Sequence, residues 1–333
     1  MNRLPDAETL AQAVLAGQRR ALARSITLIE STRPDHRQAA EALLEHLLPC
    51  TGNSIRIGIS GVPGVGKSTF IEAFGLFVIG QGHRVAVLAV DPSSPRSGGS
   101  ILGDKTRMEE LSRHEQAFIR PSPSGGTLGG VARRTREALL ACEAAGFDVI
   151  IVETVGVGQS ETAVADLVDM FLLLLVPGGG DELQGIKKGI VEMADLVVVN
   201  KADGDLAAAA ARAAIDYGNA LHLLRPASRH WSPPVLRCSA LNAVGIDQVW
   251  DAVLRYRRVM EAAGALPARR KEQARAWLWN EVGESLMARF RAHPRIEPGL
   301  AEMEGRVAAG TITPTAAAQY LLNTFLDTDA GKA

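Results

Sequence analysis

The stretch that decides the fold is IRIGISGVPGVGKST at residues 55–69, where an apolar run leads into a glycine-rich turn and then a helical segment. A strand, a GxxxxGK[ST] loop and a helix in this order form the phosphate-binding P-loop. Its glycines let backbone N–H groups turn towards phosphate oxygens, and the helix N-terminus adds positive potential. The sequence therefore predicts a nucleotide site at this turn.

Each residue type in this loop has a chemical task. Lys67 is placed to reach the β- and γ-phosphates, and Ser68 offers a hydroxyl to Mg²⁺. A chance glycine turn would not need the flanking strand and helix, so the pattern favours the phosphate-binding interpretation. The residues predicted to hold the nucleotide here are Gly61, Val62, Pro63, Gly64, Val65, Gly66, Lys67, Ser68 and Thr69.

Six further apolar runs follow and alternate with helical stretches. They are RVAVLAV (84–90), AFIR (117–120), DVIIVE (148–153), MFLLLLV (170–176), LVVVN (196–200) and VLRCS (235–239). Near-continuous apolar runs without alternation indicate strands buried on both faces, with the intervening helices as crossovers. The predicted fold class is α/β, with a mostly parallel central sheet and the site at the carboxyl ends of its strands.

The segments on either side of the sheet are predicted to be helical, because their apolar residues recur at helical spacing. We expect a helical N-terminal extension over residues 1–50, a P-loop domain over 51–264 and a helical C-terminal arm over 265–333.

Composition excludes several classes of protein. The chain has 333 residues and balances 36 Lys and Arg against 37 Asp and Glu, a formal charge of −1. It therefore lacks the basic field that nucleic acid or an anionic membrane attracts, and neither is expected as a partner. The run MFLLLLV is far shorter than the roughly 20 residues of a membrane span. Scattered cysteines and the absence of a visible leader peptide lead us to expect a cytoplasmic location.

A second motif, Asn200-Lys201-Ala202-Asp203, indicates which base is bound. The Asp203 carboxylate is suited to accept from the ring N–H and the exocyclic amino group of guanine together. Adenine lacks this donor pair, and buried polar groups left unpaired reject the wrong base. The loop after VLRC would supply a backbone N–H to guanine O6. The residues predicted to hold the base are Asn200, Lys201, Asp203, Ser239, Ala240 and Leu241.

Three acidic residues are candidates for a Mg²⁺ site beside Ser68. Asp91 ends an apolar run, Asp104 lies in SPRSGGSILGDKTRM, and Glu153 ends DVIIVE and begins the segment ETVG. Mg²⁺ prefers oxygen ligands and keeps several waters, so only one or two of these acids need to touch it. Asp104 and Glu153 are candidates for direct or water-mediated contact, whereas Asp91 is also a candidate for orienting its neighbours.

Gly156 is expected to donate its N–H to the γ-phosphate and so to act as a switch. The next residue is Val157, where Ras-like proteins place the glutamine that orients the attacking water. Hydrolysis without a helper is therefore expected to be slow. Basic residues are candidates for the missing group, with plain solvated charge as the alternative. The predicted catalytic set is Lys67, Asp104, Arg107, Glu153, Gly156, Lys187 and Lys188.

Six segments together resemble the MeaB/ArgK family of GTPases associated with adenosylcobalamin-dependent methylmalonyl-CoA mutase. They are GVPGVGKST, AVDPSSPRSGGSILGDKTRM, RPSPSGGTLGGVA, VETVGVGQSE, VPGGGDELQGIKKGI and NKAD. The resemblance spans about residues 55–250 and shows no departure at any motif position. It implies a P-loop NTPase of the SIMIBI type with GTP or GDP and Mg²⁺ as ligands.

The resemblance also implies a chaperone role and a homodimer. The expected G-protein binds the mutase, gates cofactor delivery by a cobalamin adenosyltransferase, and protects or reactivates the mutase. The C-terminal helices would hold the dimer, and the loop from Pro177 to Lys188 would be an additional mobile switch. Trp277 and Trp279 agree with a dimer because they point to opposite sides of a helix, although burial within one chain is the alternative.

Two other functions share parts of this pattern. A P-loop kinase acting on a small molecule or a transport protein is the main alternative, because a P-loop alone permits phosphoryl transfer to any acceptor. Nickel-insertion GTPases share the core but need clustered cysteine or histidine ligands, and the seven histidines here are scattered.

Overall fold

A seven-stranded parallel sheet organises the part of the chain that the computed structural model describes. That part comprises residues 6–90, 108–121, 128–154, 160–178, 188–223 and 228–326. The strands are β1 (Ile55–Gly61), β2 (Val85–Val90), β3 (Ala117–Arg120), β4 (Val149–Thr154), β5 (Met170–Leu175), β6 (Leu196–Val199) and β7 (Val235–Arg237). Each run predicted as a strand forms one, and the predicted fold class is confirmed.

The strand order is β3-β2-β4-β1-β5-β6-β7, so β1 lies between β4 and β5 near the centre of the sheet. Ile59 pairs with Glu153 on one side of β1, and Gly61 pairs with Leu174 on the other. Because all paired strands are parallel, their carboxyl ends meet at one edge, which is where ligands bind in open α/β sheets.

Helices precede the sheet, cover it and follow it. Those of the N-terminal part are α1 (Ala7–Leu15), α2 (Arg19–Ile29) and α3 (Pro34–Leu47). Within the sheet region they are α4 (Lys67–Gly80), α5 (Glu109–Arg113), α6 (Leu128–Ala144), α7 (Ser160–Ala165), α8 (Lys188–Met193), α9 (Ala207–Leu223) and α10 (Ile246–Ala262). The last three are α11 (Ala265–Arg291), α12 (Glu297–Ala308) and α13 (Pro314–Leu326), and short 3-10 turns span Leu48–Cys50 and Gly204–Leu206.

The N-terminal helices form a small layer that packs on α6. Asp6 caps α1 by accepting a hydrogen bond from the Thr9 N–H at 2.9 Å, and a proline in the first turn begins α3. The apolar stripe predicted for this region is buried, as shown by Val14, Ile26 and Leu43 at 0% exposure. The helical N-terminal prediction is therefore confirmed.

The two faces of the sheet are covered by different helices. Ile57 and Ile59 of β1 pack in one core with Phe70 of α4 and Trp250 of α10. On the opposite face a Cβ at Gly58 would lie 2.9 Å from Val164 of α7, so glycine permits the close approach of that helix. This arrangement places α4 on one side of β1 and α7 on the other.

Strand β7 departs from the prediction that all strands are buried on both faces. Its residues Val235 and Leu236 are half-buried and Arg237 is exposed, whereas β1, β2, β4, β5 and β6 are buried throughout. Strand β7 is an edge strand that pairs with β6, but edge position alone does not account for its exposure, because β3 at the other end of the sheet is buried over residues 117–119. An apolar run by itself does not distinguish an edge strand from a central one.

Ion pairs hold the amino ends of the central strands. Asp169, just before β5, accepts from the Arg56 backbone N–H at 2.9 Å and pairs with Arg270 at 2.6 Å. Asp195, just before β6, pairs with Arg269 at 3.2 Å, and burial raises the pKa of this carboxyl against the opposing charge of Arg269. Buried charges need such partners. This end of the sheet is therefore occupied by structural contacts, and the opposite edge carries the loops of the site.

The chain divides into two compact units, Met1–Gln273 and Ala274–Ala333. The first contains the N-terminal helices and the sheet, so the predicted division into three parts stays a prediction. In the second unit, the Phe290 and Phe325 rings meet edge to face with centroids 5.3 Å apart. No helix within the described residues is long and apolar enough to cross a membrane, and the expected cytoplasmic location stays a prediction.

Candidate nucleotide-binding site

The glycine-rich loop between β1 and α4 has the backbone that its sequence requires. Gly64 and Gly66 adopt φ of +79° and +90°, in the left-handed region that L side chains avoid. A Cβ at Gly61 would lie 2.6 Å from the carbonyl oxygen of Leu174, so glycine here permits β1 and β5 to approach each other. The turn is closed by the Val65 N–H, which donates to the Val62 carbonyl at 3.2 Å.

Lys67 begins α4 and its ammonium group turns back over the loop. Its Nζ donates to the Gly61 carbonyl at 2.8 Å, and the residue is half-buried. Burial lowers the pKa of Lys67, while the negative charges of Glu153 and Glu161 oppose this change. These two carboxylates are 4% and 3% exposed. The site therefore combines Lys67 with two buried anions, Glu153 at the carboxyl end of β4 and Glu161 in the helix α7.

Asn200 joins the predicted base-binding residues to the phosphate loop. Its Nδ2 donates to the Val65 carbonyl at 2.9 Å, and its Oδ1 accepts from the Ala240 N–H at 3.0 Å. Lys201, at φ +57°, donates from Nζ to the Gly64 carbonyl at 2.7 Å. Three segments far apart in the sequence thus meet at one edge of the sheet, as the two motifs predicted.

The loop after β7 forms a compact turn beside Asn200. The N–H of Ser239 donates to the Val244 carbonyl at 2.9 Å, and the Val244 N–H donates back to Ser239 at 3.1 Å. Ser239 and Ala240 are buried, whereas Leu241 is 79% exposed. The side chain of Asp203 is half-buried and does not cap the 3-10 turn that follows it. This geometry is compatible with Asp203 contacting a base.

The remaining predicted residues lie in several places. Ser68 is half-buried in the first turn of α4, and Thr69 next to it is exposed. The backbone of Lys188 begins α8. Five predicted residues lie outside the described residues, namely Asp91, Asp104, Arg107, Gly156 and Lys187. Their roles stay predictions.

Sequence reasoning missed three buried polar residues beside the site, namely Ser60, Thr154 and Glu161. The Thr154 hydroxyl donates to Ser60 Oγ at 3.0 Å across the ends of β4 and β1. Glu161 lies in α7, near enough to Lys67 for its charge to act on the ammonium group. The signal that could have revealed them is their polarity. A serine, a threonine or a glutamate at the end of a buried strand or helix needs a hydrogen-bonding or charged partner, which indicates a polar site nearby.

The fold and the site together define a class of protein. A parallel α/β sheet, a glycine-rich loop after a central strand and a lysine folded over that loop are the features of a P-loop nucleotide-binding protein. The family model described as "Methylmalonyl Co-A mutase-associated GTPase MeaB" matches residues 22–295. The chain therefore belongs to the MeaB family, which confirms the predicted resemblance.

Relatives agree with this assignment over nearly the whole chain. A Caulobacter vibrioides protein named as a GTPase is 60% identical over 320 residues, covering 96% of this chain and 98% of its own. The mouse protein named methylmalonic aciduria type A homolog, mitochondrial, is 52% identical over 322 residues, covering 94% of this chain and 78% of its own. The solved structure titled LAO/AO transport system kinase is 40% identical with a TM-score of 0.77, covering 98% and 99%.

These matches establish the activity at the level of the family. The chain is a GTPase and binds guanine nucleotide. The predicted guanine nucleotide binding and GTPase activity are thereby confirmed, whereas the roles of individual site residues stay predictions.

Proposed function

We propose that this GTPase is a nucleotide-controlled chaperone of adenosylcobalamin-dependent methylmalonyl-CoA mutase. In this role it gates cofactor delivery from cobalamin adenosyltransferase and protects or reactivates the mutase. The family description, which names association with that mutase, supports the partner. The structural observation that carries the proposal is the Asn200 bridge between the phosphate loop and the base loop, because it makes one site that can respond to its nucleotide.

In the proposed site GTP lies along the carboxyl edge of the sheet. The phosphate loop from Gly61 to Thr69 surrounds the phosphates, with Lys67 directed at the β- and γ-phosphates. Asp203 accepts from the guanine ring N–H and amino group, and the Ala240 loop lies at guanine O6. Lys201 supports this placement because its contact with Gly64 holds the base motif against the phosphate loop.

Mg²⁺ is the proposed metal of the site. Ser68 would offer its hydroxyl, and Glu153 would provide a carboxylate oxygen directly or through water. The donor set supports this assignment, because Glu153 is a buried carboxylate at the carboxyl end of the strand beside β1. Asp91 and Asp104 stay candidates from the sequence. The ion would supply positive charge to the phosphate oxygens.

The proposed hydrolysis is slow without a helper. Lys67 would stabilise the charge that develops on the phosphate oxygens as water attacks. Val157 has no group with which to orient that water, and Arg107, Lys187 and Lys188 are candidates to supply one. A partner that moves one of these residues into place would accelerate hydrolysis, as activating proteins do for other GTPases.

The mutase proposal predicts that nucleotide controls binding. We expect the affinity of the protein for methylmalonyl-CoA mutase to differ about tenfold or more between GDP and a non-hydrolysable GTP analogue, a typical coupling between two sites. Isothermal titration of the holo-mutase into each nucleotide complex measures this difference. GTP turnover should also rise when the mutase is added.

The Lys67→Ala variant is the control for this titration, because its mutase affinity should no longer depend on the nucleotide. Equal affinities of the unaltered protein in both nucleotides would contradict the proposal. ATP use with a labelled, phosphorylated acceptor would instead support the kinase alternative.

A homodimer held by the C-terminal helices is the second part of the proposal. Helix α11 leaves Leu278, Trp279, Val282 and Leu286 exposed at 61%, 72%, 38% and 54%. Monomeric proteins seldom expose contiguous apolar surface of this kind. The i, i+4 and i+8 spacing of Leu278, Val282 and Leu286 places them on one face of the helix, and a second copy of the chain would bury them.

We expect Leu286→Arg to convert a dimer into a monomer, because burying an unpaired charge at an apolar interface is costly. Light scattering coupled to size-exclusion chromatography measures the mass. Glu284→Arg, an exposed change in the same helix turn, should leave the dimer intact. A monomeric unaltered protein, or a dimer that persists in Leu286→Arg, would count against this interface.

A further inference from the structure

The carboxyl ends of β1 and β4 are joined by two buried hydroxyl groups. The Thr154 hydroxyl donates to Ser60 Oγ at 3.0 Å, and the two residues are 0% and 2% exposed. Ile59 pairs with Glu153 in the strand register, which makes Ser60 and Thr154 the next neighbours along the same strands. The hydrogen bond between Thr154 and Ser60 therefore extends the pairing of β1 and β4 to the position just before the phosphate loop.

These hydroxyls lie on the face of the sheet that α7 covers, opposite the core that includes Phe70 of α4. Side chains alternate along a strand, so Ser60 projects on the same side as Gly58, which contacts Val164 of α7. The adjacent residue Ile59 packs instead in the core that includes Phe70 of α4. The pair is thus separate from the groups expected to touch the nucleotide, and any effect it has on the nucleotide must be indirect.

The bond connects the residues that precede the two phosphate-sensing segments. Ser60 comes directly before Gly61, whose carbonyl accepts from Lys67. Thr154 comes directly after Glu153 and directly before residues 155–159, which include the predicted γ-phosphate contact. Movement of the end of β4 relative to the end of β1 would have to stretch this hydrogen bond.

A threonine at this position needs an explanation, because the four residues at 149–152 of β4 are all valine or isoleucine. Valine would have nearly the same shape and would bury no hydroxyl. A buried hydroxyl costs free energy unless it is hydrogen-bonded, and Ser60 supplies the partner. Two buried polar side chains that pair with each other across β1 and β4 indicate that their bond positions the ends of these strands.

We propose that Thr154 is a positioning residue which, through Ser60, sets how strongly the protein prefers GTP over GDP. It does so by fixing the end of β4, after which residues 155–159 follow in the sequence, relative to the end of β1 that leads into the phosphate loop. This inference rests on the proposed contact between Gly156 and the γ-phosphate. GDP lacks that phosphate, so loss of the bond should weaken the binding of GTP and leave the binding of GDP nearly unchanged.

The test is Thr154→Val, which removes the hydroxyl and keeps the branched shape. We expect its affinity for a non-hydrolysable GTP analogue with Mg²⁺ to fall about tenfold, the scale of one buried hydrogen bond. Its GDP affinity should stay within about twofold of the unaltered protein, because GDP lacks the γ-phosphate whose contact the bond supports. Thr154→Ser, which keeps the hydroxyl, should restore most of the preference.

Thr135→Val is the matched control, because it removes another buried threonine hydroxyl from the same unit. That hydroxyl donates to the Val131 carbonyl at 2.9 Å within α6. Thr135→Val should lower the melting temperature and leave the ratio of GTP to GDP affinity unchanged. If Thr135→Val changes that ratio as much as Thr154→Val does, the effect is general destabilisation and the proposal fails.

Ser60→Ala tests the same bond from the other side and replaces Thr154→Val if that variant does not fold. The double variant should lose no more GTP preference than the more severely affected single variant, because both changes remove one interaction. Equal weakening of GTP and GDP binding, or an unchanged ratio, would overturn the positioning role. An unaltered protein that bound both nucleotides equally would instead overturn the γ-phosphate contact, and this inference with it.

Discussion

Replacing Lys67 with alanine is expected to lower GTP hydrolysis about 100- to 1,000-fold, the usual cost of removing a preorganised charged donor from a transition state. The ammonium group of Lys67 is already held over the phosphate loop by the Gly61 carbonyl and faces the buried carboxylates Glu153 and Glu161. The ammonium group therefore already lies at the phosphate loop before charge develops on the phosphate oxygens. Single-turnover hydrolysis at saturating GTP measures the loss.

Lys271→Ala is the control for this experiment. Lys271 is an exposed lysine of α11, so it matches the charge change and leaves the nucleotide site untouched. Its hydrolysis rate should equal that of the unaltered protein. Normal hydrolysis by Lys67→Ala would show that the phosphates bind elsewhere, and the proposed site would have to be abandoned.

Replacing Asp203 with asparagine is expected to change the base that the protein prefers. The carboxylate accepts two hydrogen bonds from guanine. The amide oxygen of asparagine would still accept one of them, but the amide NH₂ group would face the other guanine donor, and these two donors would both stay unpaired. We expect GTP affinity to fall about 100-fold or more, because a site built for hydrogen bonds strongly rejects a ligand that cannot make them. Xanthosine triphosphate, which has a carbonyl in place of the amino group, should bind better than GTP.

Asp205→Asn serves as the comparison, because Asp205 is an exposed acid in the adjacent 3-10 turn. It should keep the preference for GTP in competition titrations with both nucleotides. An Asp203→Asn variant with unchanged GTP affinity would remove Asp203 from the base site and shift attention to the loop that carries Ala240.

The strands and the phosphate loop could be predicted because each depends on residues that are close together in the sequence. The run ending at Gly61 is apolar without alternation, and the glycines at 64 and 66 stand where the backbone needs positive φ. The edge position of β7 was not predictable, because a run such as VLRCS does not reveal how many neighbours its strand will have. Strand order is a property of the whole chain.

The candidate site was predictable in its motifs and not in its internal contacts. The base motif and the phosphate loop were expected at the same edge, but nothing in NKAD reveals that Lys201 donates to the Gly64 carbonyl. The bond between Thr154 and Ser60 depends on β4 lying next to β1, and sequence separation conceals that relation. Contacts of this kind follow from the strand order, so they become visible only in the folded chain.

The Asn200 bridge has a consequence for the way a bound ligand departs. The Asn200 carboxamide is hydrogen-bonded to both the Val65 carbonyl and the Ala240 N–H. If either loop moves, Asn200 loses one of the two contacts that hold it in place, and its contact with the other loop is weakened. Dissociation should accordingly be a single all-or-none event, with no long-lived intermediate in which one end of the ligand has escaped. A nucleotide-exchange factor would then need to displace only one of the two loops to release the whole nucleotide.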